Sequence, residues 1–363
     1  MPIIRIPWHP RRMPQITIVP TGQRFRADPR DSVLAAALRA GLNLPHSCKG
    51  GHCSSCRARV LAGTFEYPGE RPAGITQEEV DHGYALLCQA QARTDLTVEA
   101  RELRPAPDVE VKSLPCRIDR LERVADDVMA VFLRLPAVEE LQFRAGQYLD
   151  VILSGGRRRS FSIASAPADG PLIELHVRRA SASGFTGQLF DSMGAGALLR
   201  IEGPLGQFWF RNESPRPAIM VGGGTGYAPL RAMLRQLLAG GDRRLLTLYW
   251  GGRARGDLYE DAWLGHLASA RPGFSYRPVL SESDAAAPSG AVRTGWVHAA
   301  VLEDFPDLSG FDVYASGPPA MVEAIRAQFP AHGLPREQLF FDSFDYAPDT
   351  LARMKGGALS PGD

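Results

Sequence analysis

Cys48, Cys53, Cys56 and Cys88 follow the pattern Cys-x4-Cys-x2-Cys, then a long gap, then a last Cys. Three thiolates on one loop and a fourth from a distant segment suit a 2Fe–2S cluster of the plant-ferredoxin type. The loop reads His46-Ser47-Cys48-Lys49-Gly50-Gly51-His52-Cys53-Ser54-Ser55-Cys56. Gly50 and Gly51 tolerate positive φ angles, so the chain can curl around an inorganic core. The small Ser47, Ser54 and Ser55 let backbone N–H groups approach the sulfurs and tune their potential. A structural zinc site or two disulfides would draw on the same residue type. Zinc ligands come more often as two short pairs, so the spacing favours iron–sulfur.

Other segments carry nucleotide chemistry. Gly222-Gly223-Gly224-Thr225-Gly226 ends an apolar run, Ala218-Ile219-Met220-Val221, and opens a helical stretch. Glycines let the backbone approach a pyrophosphate, and a helix N-terminus favours its charge. The run is not Gly-x-Gly-x-x-Gly, so the ordinary dinucleotide fingerprint does not transfer, and a plain flexible turn is the alternative. Ala315-Ser316-Gly317-Pro318-Pro319 repeats the logic at a second strand end, where Ser316 can face a nicotinamide; a helix start with Pro in its first turn needs no ligand. Tyr249-Trp250-Gly251-Gly252-Arg253 is a third such loop, with Arg253 or Arg255 either touching an adenosine phosphate or solvated.

Arg159-Ser160-Phe161-Ser162 follows the strand-like Tyr148-Leu149-Asp150-Val151-Ile152-Leu153. An Arg here can fork onto a phosphate, Phe161 can lie against a flavin, and Ser162 can hydrogen-bond its reactive edge; a solvated strand edge is the bland alternative. His176-Val177-Arg178 and Gly184-Phe185-Thr186 fit the same cofactor, the latter as a helix start for a pyrophosphate or as an ordinary capped turn. Hydrolase chemistry has little support: there is no Gly-x-Ser-x-Gly elbow and no His-Glu-x-x-His pattern.

These residues need several unlike scaffolds. With 363 residues the chain is long enough for two or three domains. Its net charge of +1, without a basic run interleaved with aromatics, argues against nucleic acid. No stretch of about 18 apolar residues exists, so no membrane span is expected. The N-terminus lacks the apolar core of a secretory signal, and five cysteines with four committed to a cluster point to a reducing, cytoplasmic setting. Cys116 is left over, as a buried strand residue.

Residues 1–13 read as an extension. From 14 to 101 a hairpin (Gln15–Val19, Arg24–Ala27), a capped helix (Val33–Ala40), the cysteine loop and a closing strand (Asp95–Glu99) have the order of a β-grasp domain. Residues 102–112 carry Pro105 and Pro107 and read as a linker. From 113 to 211 short strands broken by Gly and Pro suggest an antiparallel β-barrel. From 212 to 345 strands alternate with helices, which predicts an α/β domain with a parallel sheet, and 346–363 read as a flexible tail.

Leu86-Leu87-Cys88-Gln89-Ala90, Arg158-Arg159-Ser160-Phe161-Ser162, Ile201-Glu202-Gly203-Pro204-Leu205-Gly206 and Phe341-Asp342-Ser343-Phe344, in this domain order, carry a likeness. The chain resembles the ferredoxin–NAD(P)H reductase superfamily over roughly residues 14 to 345. It is most similar to single-chain reductases with an N-terminal ferredoxin: reductase components of aromatic-ring oxygenases and hydroxylases, and CDP-6-deoxy-glucoseen reductases. The resemblance implies FAD in the barrel, with Arg159 on its phosphates and Ser162 near the ring. It implies NADH, with NADPH as the alternative, at Gly222 to Gly226 and at Ser316 to Pro318, and an aromatic such as Phe341 or Phe344 beside the flavin. Three positions depart from the family: Phe161 replaces a Tyr, Ser316 a Cys, and Ala182-Ser183 a glycine pair.

Together these readings describe a monomeric reductase. A flavin must stand between a two-electron nicotinamide and a one-electron cluster. The expected acceptor is a protein docking near Lys49 to Ser55: a Rieske-type oxygenase component, or alternatively a diiron hydroxylase or a CDP-6-deoxyhexulose dehydrase. Rivals of other kinds are a redox-sensing protein without turnover and a diaphorase without a protein partner.

Overall fold

The computed structural model describes residues 13–42, 44–46, 49–51, 56–72, 74–100, 109–180, 184–282 and 292–344. The chain divides into two compact units, Met1–Pro107 and Asp108–Asp363.

In the first unit the strands are β1 (Gln15–Val19), β2 (Gln23–Arg26), β3 (Arg57–Ala62), β4 (Phe65–Glu66), β5 (Tyr84–Leu86), β6 (Gln91–Ala92) and β7 (Leu96–Glu99), with helices α1 (Val33–Arg39) and α2 (Gln77–Asp81). The main sheet runs β2-β1-β7-β3-β5, with β1 and β7 parallel, as a β-grasp fold requires. Alternation in β1 sends Ile16 and Ile18 inward, where Val33, Leu34, Ala36 and Ala37 of α1 cover them. Ser32 caps α1 by accepting from Ala35 N at 3.2 Å. Thr76 and Glu79 form a reciprocal capping box on α2, so both short helices begin where their polar caps stand.

In the second unit, β8 (Lys112–Ala125), β9 (Val128–Arg134), β10 (Tyr148–Ile152), β11 (Arg158–Ser162), β12 (Leu172–Arg178) and β13 (Leu198–Leu205) form an antiparallel sheet ordered β11-β10-β13-β8-β9-β12. A bridge between Ile163 and Leu175 joins its two edges, closing the barrel. Helix α3 (Phe185–Asp191) packs on it. Cys116 lies inside β8, where burial pushes its thiol up to about 12.

The chain then forms a parallel sheet from β14 (Ala218–Gly223), β15 (Leu246–Gly252), β16 (Phe274–Leu280), β17 (Arg293–Thr294), β18 (Asp312–Gly317) and β19 (Leu339–Ser343), ordered β17-β16-β15-β14-β18-β19. Helices α4 (Tyr227–Ala239) and α5 (Asp261–Ala270) cover one face; α6 (Val297–Asp304) and α7 (Pro319–Gln328) cover the other. β14 and β18 are buried along their whole length, which explains their unbroken apolar runs. The strand order reverses between them, which places the ligand crevice beyond their carboxyl ends. The core under α4 also takes in Ala145, Phe208 and Phe210, so barrel and sheet share one apolar layer. Among the described residues no helix is long and apolar enough to cross a membrane.

Candidate active site

Two glycine turns meet at the carboxyl ends of β14 and β18. A Cβ on Gly226 would lie 2.0 Å from the Ser316 carbonyl oxygen and 2.5 Å from Gly317 Cα. Gly317 itself takes φ +146°, and a Cβ there would fall 2.8 Å from Gly223 O. Only glycine permits this backbone-to-backbone approach. Inside it Ser316 is 0 % exposed, and its Oγ finds no hydrogen-bond partner among the described residues. A buried hydroxyl without a partner is costly, and a ligand amide would satisfy it. Pro318 lies against Gly223, and Phe344 N donates to Gly317 O at 2.8 Å, tying the end of β19 to the same turn.

Helix α4 starts at this turn with no side-chain cap and no acidic residue in its first turn. Tyr227 N, at its start, turns back to Gly224 O and Thr225 O, and the positive end of the helix favours an anion. Arg178, from barrel strand β12, brings its guanidinium there: Nη2 lies 3.2 Å from where a Gly224 Cβ would stand. Trp250 Nε1 donates to Gly224 O at 2.9 Å and holds the turn from below. Glycine cradle, bare helix end and adjacent guanidinium fit a dinucleotide pyrophosphate.

Arg253 belongs to an ion-paired ring. It reaches Asp257 at 3.2 Å and Asp127 at 3.3 Å, while Arg178 reaches Asp127 at 2.7 Å. Burial raises the Asp257 carboxyl, but hydrogen bonds from Arg253 outweigh it and hold the group below its ordinary value. Arg255 pairs with Asp261 at 3.2 Å.

On the barrel, Arg159 and Phe161 alternate with Arg158, Ser160 and Ser162 along β11. Arg158 forks onto Glu202 at 2.6 and 2.9 Å, and Ser160 Oγ donates to Asp150 at 2.6 Å, so these two brace the neighbouring strands. Arg159 and Phe161 take the other side; Phe161 packs 5.8 Å from Phe185 at the start of α3. Ser162 is buried opposite Tyr148. Gly184 takes φ +93° just ahead of α3, and Thr186 Oγ1 accepts from Ala180 N at 3.3 Å. Val177 packs into the barrel core. His176 is buried, with Nδ1 2.9 Å from Tyr259 Oη and Nε2 3.0 Å from Glu174 Oε1. Its imidazole therefore faces the α/β half of the unit.

Of the four ligand cysteines, Cys56 and Cys88 are described and buried; Cys48 and Cys53 lie outside the described residues, as do Ala182 and Ser183. Leu87 N donates to Cys56 O at 3.1 Å, which draws the distant fourth cysteine to the loop. The left-handed positions in the loop's described part are Lys49 (φ +54°) and Gly51 (φ +82°). Gln89 Nε2 holds Lys49 O at 2.9 Å, and Gly74 N holds Gly51 O at 2.9 Å. Tyr67 Oη accepts from Leu86 N at 3.0 Å; burial first, and then the nearby Cys56 and Cys88, raise its phenol above the ordinary value. A buried pair of thiol groups beside a braced loop fits a thiolate-held cluster.

Several site neighbours escaped the sequence reading: Arg231, Glu174, Glu260 and Tyr259; Trp250 was read only as part of a strand-end loop, without its contact to Gly224. Arg231 carried a signal, a charge in the apolar stretch Tyr227–Leu238 on the buried face of α4.

Three family models match: a 2Fe-2S iron-sulfur cluster binding domain over residues 16–93, an oxidoreductase FAD-binding domain over 115–210, and an oxidoreductase NAD-binding domain over 220–327. The CDP-6-deoxy-L-threo-D-glycero-4-hexulose-3-dehydrase reductase of Yersinia pseudotuberculosis is 38 % identical over 329 residues, 91 % of this chain and 98 % of that protein. The aromatic O-demethylase reductase subunit of an Amycolatopsis strain is 36 % identical over 84 % of this chain and 90 % of its own length. The crystal structure of an Amycolatopsis cytochrome P450 reductase superposes with a TM-score of 0.70 at 33 % identity, covering 91 % of this chain and 98 % of that one. Cluster, flavin and nicotinamide modules thus occur in one chain, each with a fitting residue set. The chain belongs to the ferredoxin–NAD(P)H reductase superfamily, as a single-chain oxidoreductase that moves electrons from NAD(P)H through FAD to its own 2Fe–2S domain.

Proposed function

We propose that this protein is the NADH-fed reductase component of an oxygenase system, delivering single electrons to a protein acceptor that docks near the cluster loop. When bound, the three groups supply a hydride donor, a carrier that divides an electron pair, and a one-electron outlet. The chain's residues hold them in order. Cys48, Cys53, Cys56 and Cys88 ligate the cluster. Arg159, Ser160, Phe161, Ser162, Val177, Gly184 and Thr186 form the flavin side, within a barrel domain spanning 113–211, while His176 and Arg178 of the same barrel face the nucleotide turn. Gly222 to Gly226, Arg253 and Ser316 to Pro318 form the nicotinamide side, within 212–345, and Phe344 closes the ring pocket. Ser162 and Ser316 flank the hydride path and orient the two rings by hydrogen bonds.

The observation that carries this reading is the glycine contact between the β14 and β18 turns, with the unsatisfied Ser316 hydroxyl inside it. The donor choice rests on charge. Arg253 and Arg255 are already paired with Asp127, Asp257 and Asp261, so little positive charge remains for a 2′-phosphate. The acceptor choice rests on similarity to reductase components named for aromatic O-demethylation and for propane and phenol monooxygenation. A second reading, a hexulose-dehydrase reductase, is favoured by the 38 % identity across 98 % of that relative.

The test compares NADH with NADPH, and a Rieske-type oxygenase component, a diiron hydroxylase and the dehydrase as acceptors. NADH should be preferred, and an oxygenase component should be reduced fastest. Faster reduction of the dehydrase selects the second reading. No reduction of any protein acceptor, alongside rapid dye reduction, defeats both.

A further inference from the structure

Arg231 joins the two halves of the second unit at one point. It is 8 % exposed and sits on the first turns of α4, just past the glycine turn. Its Nε donates to Glu260, at 2.9 Å to Oε1 and 3.0 Å to Oε2. Its Nη1 crosses to the barrel, donating to Ala164 O at 2.9 Å and to Glu174 Oε2 at 2.8 Å. Ala164 stands two residues beyond Ser162, and Ala164 N in turn donates to Glu174 O at 2.8 Å.

From Glu260 the chain of contacts continues to the nucleotide turn. Tyr227 Oη donates to Glu260 Oε2 at 2.6 Å. The Tyr227 ring stacks on Trp250 with centroids 3.9 Å apart, and Trp250 Nε1 donates to Gly224 O at 2.9 Å. A branch runs from Glu174 through His176 to Tyr259, whose ring stands edge-on to Trp250 at 5.0 Å. An unbroken set of directional contacts therefore links the flavin-side strand to the turn proposed to hold the nicotinamide dinucleotide.

Stability alone does not account for such a set. Burial opposes the Arg231 charge, and the two carboxylates are needed to outweigh it. Burial likewise raises the Glu174 carboxyl, which the His176 hydrogen bond and the Arg231 charge bring below its ordinary value. Well-packed apolar side chains join two layers as firmly as a buried ion pair, and often more so. What they lack is direction. A planar guanidinium bonded to three acceptors on two layers admits one mutual orientation.

We propose that Arg231 is a positioning residue for hydride transfer: its guanidinium locks the barrel segment after Ser162 to the helix that begins at the glycine turn, and so fixes how a nicotinamide beside Ser316 approaches the flavin. The proposal rests on the reading that NADH reduces a barrel-bound flavin. Hydride transfer needs near-contact geometry, and a small misplacement set remotely costs about 100-fold in rate.

The experiment uses the cofactor-loaded full chain and Arg231→Gln, Arg231→Lys and Glu260→Gln. Flavin reduction by saturating NADH is followed anaerobically, per bound flavin. In Arg231→Gln the limiting rate should fall about 100-fold, with half-saturation and flavin potential unmoved. NADH deuterated at its transferred hydrogen should show a larger isotope effect than in the parent. Arg231→Lys, which keeps the charge and one carboxylate contact, should fall between. Independently of activity, amide exchange should quicken together in peptides spanning Ile163–Ser165 and Gly224–Tyr227 and stay unchanged in β1 and β7.

An unaltered limiting rate, or a raised half-saturation with an unaltered limiting rate, overturns the proposal. If Arg231→Gln does not hold flavin, the same readings on Glu260→Gln decide. If neither variant holds flavin, the network serves folding and the proposal falls. A parent protein that NADH does not reduce would sink the underlying reading instead, so the two failures are distinguishable.

Discussion

The two ends of β18 bury polar groups for opposite purposes. At its amino end Asp312 is 1 % exposed, and burial raises its carboxyl above the ordinary value despite Ser214, Arg216 and Arg244 nearby. Large side chains fill that end: Tyr314 stacks between Phe210 at 4.8 Å and Phe340 at 4.9 Å, and Arg244 covers Phe210 at 4.3 Å. At the carboxyl end Ser316 is equally buried, but glycines surround it and α4 presents a bare N-terminus. Bulky side chains gather at one end and closely packed glycine backbone at the other. On the proposed reading the same strand is a foundation below and a binding floor above, in line with parallel sheets binding at their carboxyl ends.

The comparison breaks first at Gly226. A methyl there meets the Ser316 carbonyl at 2.0 Å, so Gly226→Ala must push the two turns apart. NADH-driven flavin reduction should fall by about 100-fold or more while flavin stays bound, as rapid-mixing absorbance would show. Wild-type rates would mean that the close contact of the turns is incidental.

At the other end, Tyr314→Phe removes the hydroxyl that accepts from Arg211 N at 2.9 Å. This should cost about 1–3 kcal/mol in thermal or denaturant unfolding and leave the flavin reduction rate unchanged. A slowed rate would show that the foundation also reaches the site.

The two buried polar groups make the finest contrast. Ser316→Ala deletes an unsatisfied hydroxyl, so the cofactor-free protein should gain about 1 kcal/mol while NADH reduction slows. Asp312→Asn should give a similar gain of about 1 kcal/mol with no kinetic change. Its gain should depend on pH. The folded carboxyl is raised, so folding holds the proton more tightly than the unfolded chain does. The penalty is absent below the ordinary value of 3.8, grows as pH rises through the folded value, and is complete above it. Melting curves should therefore separate Asn from Asp at neutral pH and converge on acidification. A separation that widens on acidification would reverse the assignment.

What could be read in the residues alone follows from distance along the chain. The cysteine pattern and the glycine turn are local, so their spacing announces them, and the β-grasp, barrel and parallel-sheet order follows from periodicity and turn residues. The facing of Gly226 and Gly317 depends on two strands far apart in sequence, so only the family likeness anticipated it. His176 looked like one more flavin-side residue because nothing nearby reveals Tyr259 as its partner. Arg253 was read as touching an adenosine phosphate or as solvated; its ion pair with Asp127, 126 residues away, has no local signal. Arg231 was visible as a charge on an apolar helix face, but its three acceptors come from three separate segments.

The most direct test of the electron path is an anaerobic titration with NADH, followed together by visible absorbance and low-temperature electron paramagnetic resonance. The flavin band should bleach, and a rhombic iron signal should grow with it until it accounts for the bound iron–sulfur cluster. Bleaching of the flavin while the iron stays silent would contradict the path from nicotinamide through flavin to the four thiolates.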